Sequence, residues 1–308
     1  MSVIISLALV VGSLLLLPLL SGFISKVKAF LTGSKGPPWG IKYYTFRKLL
    51  AKGSVYSSST TFVFRAAPVV VPTVYLLALL FLPLAGMPPV LSFYGDVILL
   101  FYLFALGRFF TIAAALDTAS PFEGMGSSRE AFFAVLSEPA IFVVLFLFCR
   151  LSSSLRLADF FTGPTAVNLA RPEAGLLLLV VVALFMVLLA ENARVPVDDP
   201  ATHLELTMIH EVMILDHSGP DLALLELGAW CKLYFFAAFI ANILLPGQLG
   251  NPWARVGLFS AAILIIYAMI GVTESITARY KMPLIPKFIL TSFAFAFFAA
   301  ILTLEQIR

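Results

Sequence analysis

The chain has 308 residues, 61% of them hydrophobic and only 12% charged, with a mean hydropathy of +1.02. Globular domains run near half apolar and about a quarter charged, so this balance excludes a water-soluble fold and predicts an all-α, polytopic membrane protein. The net charge of +3 says little as a sum, and the two cysteines, Cys149 and Cys231, are too few for an iron–sulfur cluster, a structural zinc site or a disulfide framework, so no cofactor or metal is expected on this chain.

Apolar runs of about 18 residues or more read as bilayer-crossing helices. Eight are expected, at about 3–23, 68–84, 96–116, 131–150, 174–191, 223–245, 254–273 and 284–304, forming a single membrane domain over 1–308. The first reads as an uncleaved span, because Lys26 and Lys28 follow the apolar run instead of preceding it. An even number of crossings puts both termini on one side. Of the 20 lysines and arginines, thirteen fall on the odd-numbered connections and five on the opposite side. The positive-inside rule then sets the odd connections in the cytoplasm and the termini outside, in a cell inner membrane. Most carboxylates share the cytoplasmic face, which suggests that a soluble partner docks there. No internal repeat or low-complexity tract is evident.

The first cytoplasmic connection, about 24–67, contains GIKYYTFRKLLAKG. Helical spacing puts Tyr43, Phe46 and Leu50 on one side, with Lys42, Arg47, Lys48 and Lys52 elsewhere, the pattern of a basic interfacial helix. Adhesion to anionic lipid is one reading, and a groove beneath the helix for a quinone-like molecule or a partner is the other.

The third span carries Arg108, the fourth Glu138 and the sixth Lys232. Counted from the cytoplasmic ends at about 1.5 Å per residue, all three lie roughly 12–14 Å deep and are able to meet in one layer. Each ionised group at a helix centre costs about 2.5–3.5 kcal/mol, so an unpaired set opposes insertion strongly and a paired set facing the bundle interior does not. A structural ion pair, a snorkelling cation and a proton-carrying polar relay are the readings that stay open. Glu138 precedes Pro139, which frees a backbone carbonyl close to the carboxylate. The connection LDTASPFEGMGSSREA, leading into the fourth span, holds Asp117, Glu123, Arg129 and Glu130, with Arg129 expected to pair with Glu123 or Glu130.

The fifth-to-sixth connection, about 191–222, is acidic: ENARVPVDDPATHLELTMIHEVMILDHSGPD. Asp199 and Pro200 read as a helix start and Gly219–Pro220 as its stop, giving a helix of about 15 residues at the cytoplasmic mouth. His203, Thr207, His210 and Glu211 share one face of it, and Glu205 adds a further acid. A metal site is disfavoured, since the histidines sit two turns apart and Ile214 breaks the H-E-x-x-H pattern. Glu191 and Arg194, three residues apart, are expected to pair along the helix, and Asp198 and Asp199 put two anions side by side. Glu274 lies at the seventh-to-eighth connection. No phosphate loop, nucleophile triad or nucleotide fingerprint occurs, so neither a self-sufficient enzyme nor a nucleic-acid partner is expected.

Several of these stretches together resemble one family. ENARVPVDDPATHLEL is similar to the E-x-R-x-P-x-D signature of the subunit 1 family of respiratory complex I, and GMGSSREAFFAVLSEP resembles its preceding span, where a glycine and an arginine lead to a membrane glutamate. GSKGPPWGIKYYTFRKLL occupies the place of the family's Gly-Pro motif and amphipathic helix. RFFTIAAALDTASPFEGMGSSREAFFAVLSEP and TESITARYKMPL look more like the branch of membrane-bound group 4 nickel-iron hydrogenases, which includes the formate hydrogenlyase and hydrogenase-4 types. The resemblance implies a non-catalytic subunit. Such a subunit anchors hydrogenase-like peripheral subunits on the cytoplasmic side and links their redox reaction to proton or sodium movement through antiporter-like membrane subunits. The nickel-iron centre and iron–sulfur clusters are then expected in the partners. Glu138, Glu191, Arg194 and Asp198 match the family's charged positions, whereas Arg108, Lys232, His203 and His210 are singled out by depth and helical face alone. The first connection departs from the quinone-type pattern: Lys35 is the remaining basic residue before Gly-Pro, and Pro38 replaces an asparagine. Two other readings stay open, a quinone-binding subunit of a complex I-like dehydrogenase and a purely structural membrane anchor.

Overall fold

The computed structural model describes residues 2–162, 167, 174–199, 208–245 and 251–306, and among these every regular element is helical. The long helices are α1 (Ser2–Leu31), α3 (Phe62–Phe81), α4 (Asp96–Asp117), α5 (Pro121–Ser152), α7 (Ala174–Glu191), α9 (Gly219–Leu244), α10 (Pro252–Ile276) and α11 (Ile285–Gln306). Short helices α2 (Ile41–Leu50), α6 (Leu157–Phe161) and α8 (His210–Met213) lie in the connections. Seven of the long helices are long and apolar enough to cross a membrane; the eighth expected span is the shorter apolar helix α7.

The central helix is α9. Its buried positions run almost without a break from Trp230 to Ile243, so it is apolar all round, as a helix enclosed by others must be. Helices α1, α3, α7 and α10 pack around it, α4 lies against α3, and α11 closes the far side against α5 and α7. Phe148, Phe160, Phe161 and Phe239 interlock α5, α6 and α9 through edge-to-face and stacked pairs 5.1–6.2 Å apart. Rings in these arrangements contribute about 0.5–1.5 kcal/mol per pair beyond their burial.

The helix boundaries correct several expectations. The second span starts at Phe62 instead of near 68, and Pro68 and Pro72 lie inside it. Its N-terminus is fixed by Thr61, whose hydroxyl accepts from the Val63 amide at 3.3 Å, and by the Asp117 carboxylate, which accepts from the Thr61 and Phe64 amides at 2.7 and 3.3 Å. The connection before the fourth span is mostly helix. Ser120 is the N-cap, Pro121 sits in the first turn where its missing amide is harmless, and α5 runs 32 residues. Glu123, Arg129 and Glu130 are therefore helical residues. Gly219–Pro220, expected as a stop, is the start of α9, because proline is again tolerated in a first turn. Gly219 has φ +54°, and a β-carbon there would lie 2.6 Å from the Gly53 carbonyl oxygen, so only glycine fits. A continuous helix up to Gly219 is not present either: among residues 208–218 only His210–Met213 is helical, and positions 200–207 lie outside the described residues. Asp96, at the start of α4, is fully buried and accepts from the Leu157 amide at 2.7 Å, capping α6.

Candidate functional site

Four helices each deliver one charged side chain to a single point. Arg108 (α4) donates to both carboxylate oxygens of Glu191 (α7), at 2.8 and 2.7 Å, and forms an ion pair with Glu138 (α5). Lys232 (α9) lies 2.9 Å from the same Glu191 carboxylate and also donates to the Glu191 backbone oxygen at 2.5 Å. The Ser137 hydroxyl supplies another donor to Glu191. Two cations thus face two carboxylates and the cluster is neutral overall, which is what keeps the burial cost of each charge bearable inside a membrane bundle. Glu191 is enclosed, with 2% of its side chain exposed, whereas 38% of the Glu138 side chain is exposed.

The depth count for Arg108, Glu138 and Lys232 matches this arrangement, but the expected partner of Glu191 does not. Helix α7 ends at Glu191 in a Schellman turn: the Arg194 amide donates to the Leu189 carbonyl at 2.9 Å, the Ala193 amide to that of Ala190 at 3.3 Å, and Ala193 has φ +47°. The turn carries Arg194 off the helix, away from Glu191, and its guanidinium lies 3.3 Å from Glu274. Glu274 is also 3.0 Å from Lys28, so one buried carboxylate ties α1, α10 and the end of α7. Asp198 is likewise enclosed. It pairs with Arg279 at 3.0 Å and accepts from the amides of Ile209 and His210 at 2.9 and 3.2 Å, capping α8. Asp199, half-buried, donates its amide to the Asp198 carboxylate at 3.0 Å, so these neighbours are not two equivalent anions facing one site.

A polar cavity of about 220 Å³ runs from the connections to this cluster. Lys42 of α2, His210 and Glu211 of α8 and Glu226 of α9 line its outer part; Tyr75, Glu130, Arg108, Glu191 and Lys232 line its inner end. Burial holds the His210 imidazole below its usual range and lifts the Glu211 carboxyl above the ordinary carboxylate range. On the other side of the cluster lies an apolar slot of about 50 Å³ walled by Phe101, Phe104, Phe235, Phe236 and Phe239, which also reaches Arg108, Glu138 and Glu191. The charges therefore stand between a polar approach and an apolar one.

Sequence reasoning missed Lys28, Lys42, Tyr75, Glu130 and Glu226, since each joins the cavity from a different element and no local spacing links them. The remaining candidates tie connections together. The Arg129 guanidinium donates to the Met208 carbonyl at 3.0 Å instead of pairing along its own helix as expected. Glu123 accepts from the Asp216 amide at 3.1 Å, and Asp117 caps α3. His203 and Glu205 lie outside the described residues. Among the described residues, no group of three His, Cys, Asp or Glu side chains is placed to hold a metal ion.

Residues 3–304 match the model of the NADH dehydrogenase family, the family of complex I subunit 1. The chain belongs to that family. Among its relatives are formate hydrogenlyase subunit 4 of Escherichia coli K12, 30% identical over 92% of this chain and 92% of that protein, and hydrogenase-4 component C of the same organism, 28% identical over 92% and 90%. An NADH-quinone oxidoreductase subunit from Pelagibacter ubique is 24% identical over 83% of this chain and 79% of its own length. A chain of a solved archaeal respiratory membrane complex, the membrane-bound sulfane sulfur reductase, has the same fold, with a TM-score of 0.83 at 19% identity over 98% of this chain and 99% of its own. As a member of the complex I subunit 1 family the chain is a multi-pass membrane protein, and the charged layer spans its α4, α5, α7 and α9.

Proposed function

We propose that this chain is a non-catalytic membrane subunit of a group 4 hydrogenase-like, complex I-related assembly, in which it anchors a peripheral redox module and couples electron transfer to proton or sodium movement. The single observation that carries the reading is Glu191, held between Arg108 and Lys232 at the inner end of a polar cavity whose outer wall is built from the connections. Partner subunits hold the nickel-iron and iron–sulfur centres, and antiporter-like membrane subunits continue the ion path. A negative charge arriving at the cavity mouth attracts Lys232 and Arg108 and opposes an ionised Glu191. At about 10 Å and an effective dielectric of about 20 such a change is worth roughly 1–2 kcal/mol, enough to bias the pairs toward new partners and shift where a proton rests. Glu138, the most exposed member, is the one placed to exchange that proton sideways.

The test is Glu138→Gln in the assembled complex. The variant is expected to assemble and to turn over when the gradient is collapsed, but to lose ion movement in sealed vesicles. Unchanged coupling removes Glu138 from the path. One observation favours a second reading, as a quinone-binding subunit: Tyr75 and Trp230 line the same cavity and offer flat surfaces for a ring. Inhibition by quinone-site ligands in the purified complex supports that reading, and insensitivity to them counts against it.

A further inference from the structure

The segment 24–67 contains Lys26, Lys28, Lys35, Lys42, Arg47, Lys48, Lys52 and Arg65, and no aspartate or glutamate. Within it, Lys28 is spent on Glu274 and Lys42 faces the cavity. Among the described residues, Lys26, Lys35, Arg47, Lys48 and Lys52 have no carboxylate at ion-pair distance. Three of the segment's cations rest on aromatic faces, Arg65 with its guanidinium 4.8 Å from the Tyr56 ring centre. Lys26 Nζ lies 5.8 Å from the Trp39 ring centre and the Arg47 guanidinium 5.2 Å from that of Tyr44.

The same collar exposes apolar surface. Trp39, Tyr44 and Leu50 are 56%, 69% and 46% exposed, and no residue of α2 is buried. Helix α2 is nevertheless seated against the bundle. Its Tyr43 hydroxyl donates to the Leu15 carbonyl, halfway along α1, and its Phe46 ring meets that of Trp230 with centres 5.9 Å apart. Trp39 stacks on Phe23 of α1, with ring centres 6.3 Å apart. The end of α1's apolar run, near Phe23 and Lys26, is where lipid headgroups lie, and Trp39 sits there, with the exposed Arg47, Lys48 and Lys52 following it along the chain. Rings at that depth find apolar chains and the cations find phosphates.

We infer that the α1–α2 elbow, through Trp39, Tyr44, Arg47, Lys48 and Lys52, is a binding surface for the phosphates of anionic glycerophospholipids. The inference rests on the membrane location of the chain and is independent of the coupling reading. Because Lys42 and Phe46 belong to the same short helix, a lipid bound there also steadies one wall of the polar cavity. An acidic soluble protein is the rival occupant; the interleaving of the exposed Trp39, Tyr44 and Leu50 with the cations at the edge of a membrane bundle favours lipid, which supplies phosphates and apolar chains together.

The whole complex is placed in nanodiscs of phosphatidylcholine containing chain-brominated phosphatidylglycerol, or chain-brominated phosphatidylcholine at equal amount. Quenching of Trp39 is read as the fluorescence lost in the native protein but not in Trp39→Phe. Native protein is expected to favour the brominated anionic lipid, and salt to abolish the preference. Each cation close to an anionic surface strengthens attraction about five-fold, so Arg47→Gln, Lys48→Gln and Lys52→Gln together should lower the preference roughly a hundredfold at low ionic strength. Equal quenching by both lipids in the native protein overturns the inference, as does a preference that salt or the triple variant leaves intact. So does a triple variant whose only defect is release of the peripheral module, which would assign the surface to an acidic protein. If the triple variant does not assemble, the salt dependence of the native protein alone decides.

Discussion

Replacing Lys232 with methionine removes one of the two cations that hold Glu191 and leaves the shape of α9 almost unchanged. Arg108 then faces both Glu138 and Glu191 alone. At 2.9 Å and an effective dielectric of about 20, the lost Coulomb attraction is roughly 6 kcal/mol before any relief of lysine desolvation. Breaking a buried pair by deleting one partner typically costs about 3–5 kcal/mol, because the surviving charge stays enclosed, and Glu191 has nowhere to find water with 2% of its side chain exposed. Thermal unfolding of the purified protein should show Lys232→Met well below native. Adding Glu191→Gln to it should recover a large part of the loss, since the orphaned charge is gone, so the two changes together cost much less than their sum. A Lys232→Met protein that melts like native, or costs that simply add, would show that the two side chains are not an energetic pair and would refute the neutral-cluster account.

Stability should fall on acidification between about pH 6.5 and 4 through His217, which stacks on Phe64 with ring centres 3.8 Å apart and whose imidazole burial pulls down to about 4. The unfolded chain binds that proton first, so the loss begins below about 6.5 and is complete near 4, with a ceiling of about 3 kcal/mol. His217→Phe should flatten this window in melts taken across it, and an unchanged slope assigns the acid sensitivity elsewhere. At Gly126 a β-carbon would overlap a Val212 methyl and lie 3.0 Å from the Ile209 carbonyl oxygen. Gly126→Val is therefore expected to push α8 off α5 and to open the 208–218 segment to protease, while Gly124→Ala, with free space around it, leaves the digestion pattern unchanged.

The spans are legible because an apolar run of membrane length has few other uses, and the depth of Arg108, Glu138 and Lys232 is legible because helical rise is constant. What fails is punctuation. Ser120–Pro121 and Gly219–Pro220 read locally as connection and stop, yet proline opens a helix as readily as it follows one, and only the surrounding packing decides. The Glu191–Arg194 pairing fails for a related reason: spacing of three means contact only while the helix continues, and the left-handed Ala193 ends it. Nothing local links Glu226, Glu130 and Lys42 to one another, since three separate helices bring them to one cavity.

The placement of Lys232 on α9 also has a consequence for biogenesis. Helices leave the ribosome in chain order, so Arg108, Glu138 and Glu191 enter the bilayer as one base against two acids, and the compensating ammonium arrives only with the sixth long helix. A nascent chain halted before α9 therefore carries an unbalanced negative charge at its centre. In that intermediate one carboxyl has to stay protonated or keep its water until α9 arrives.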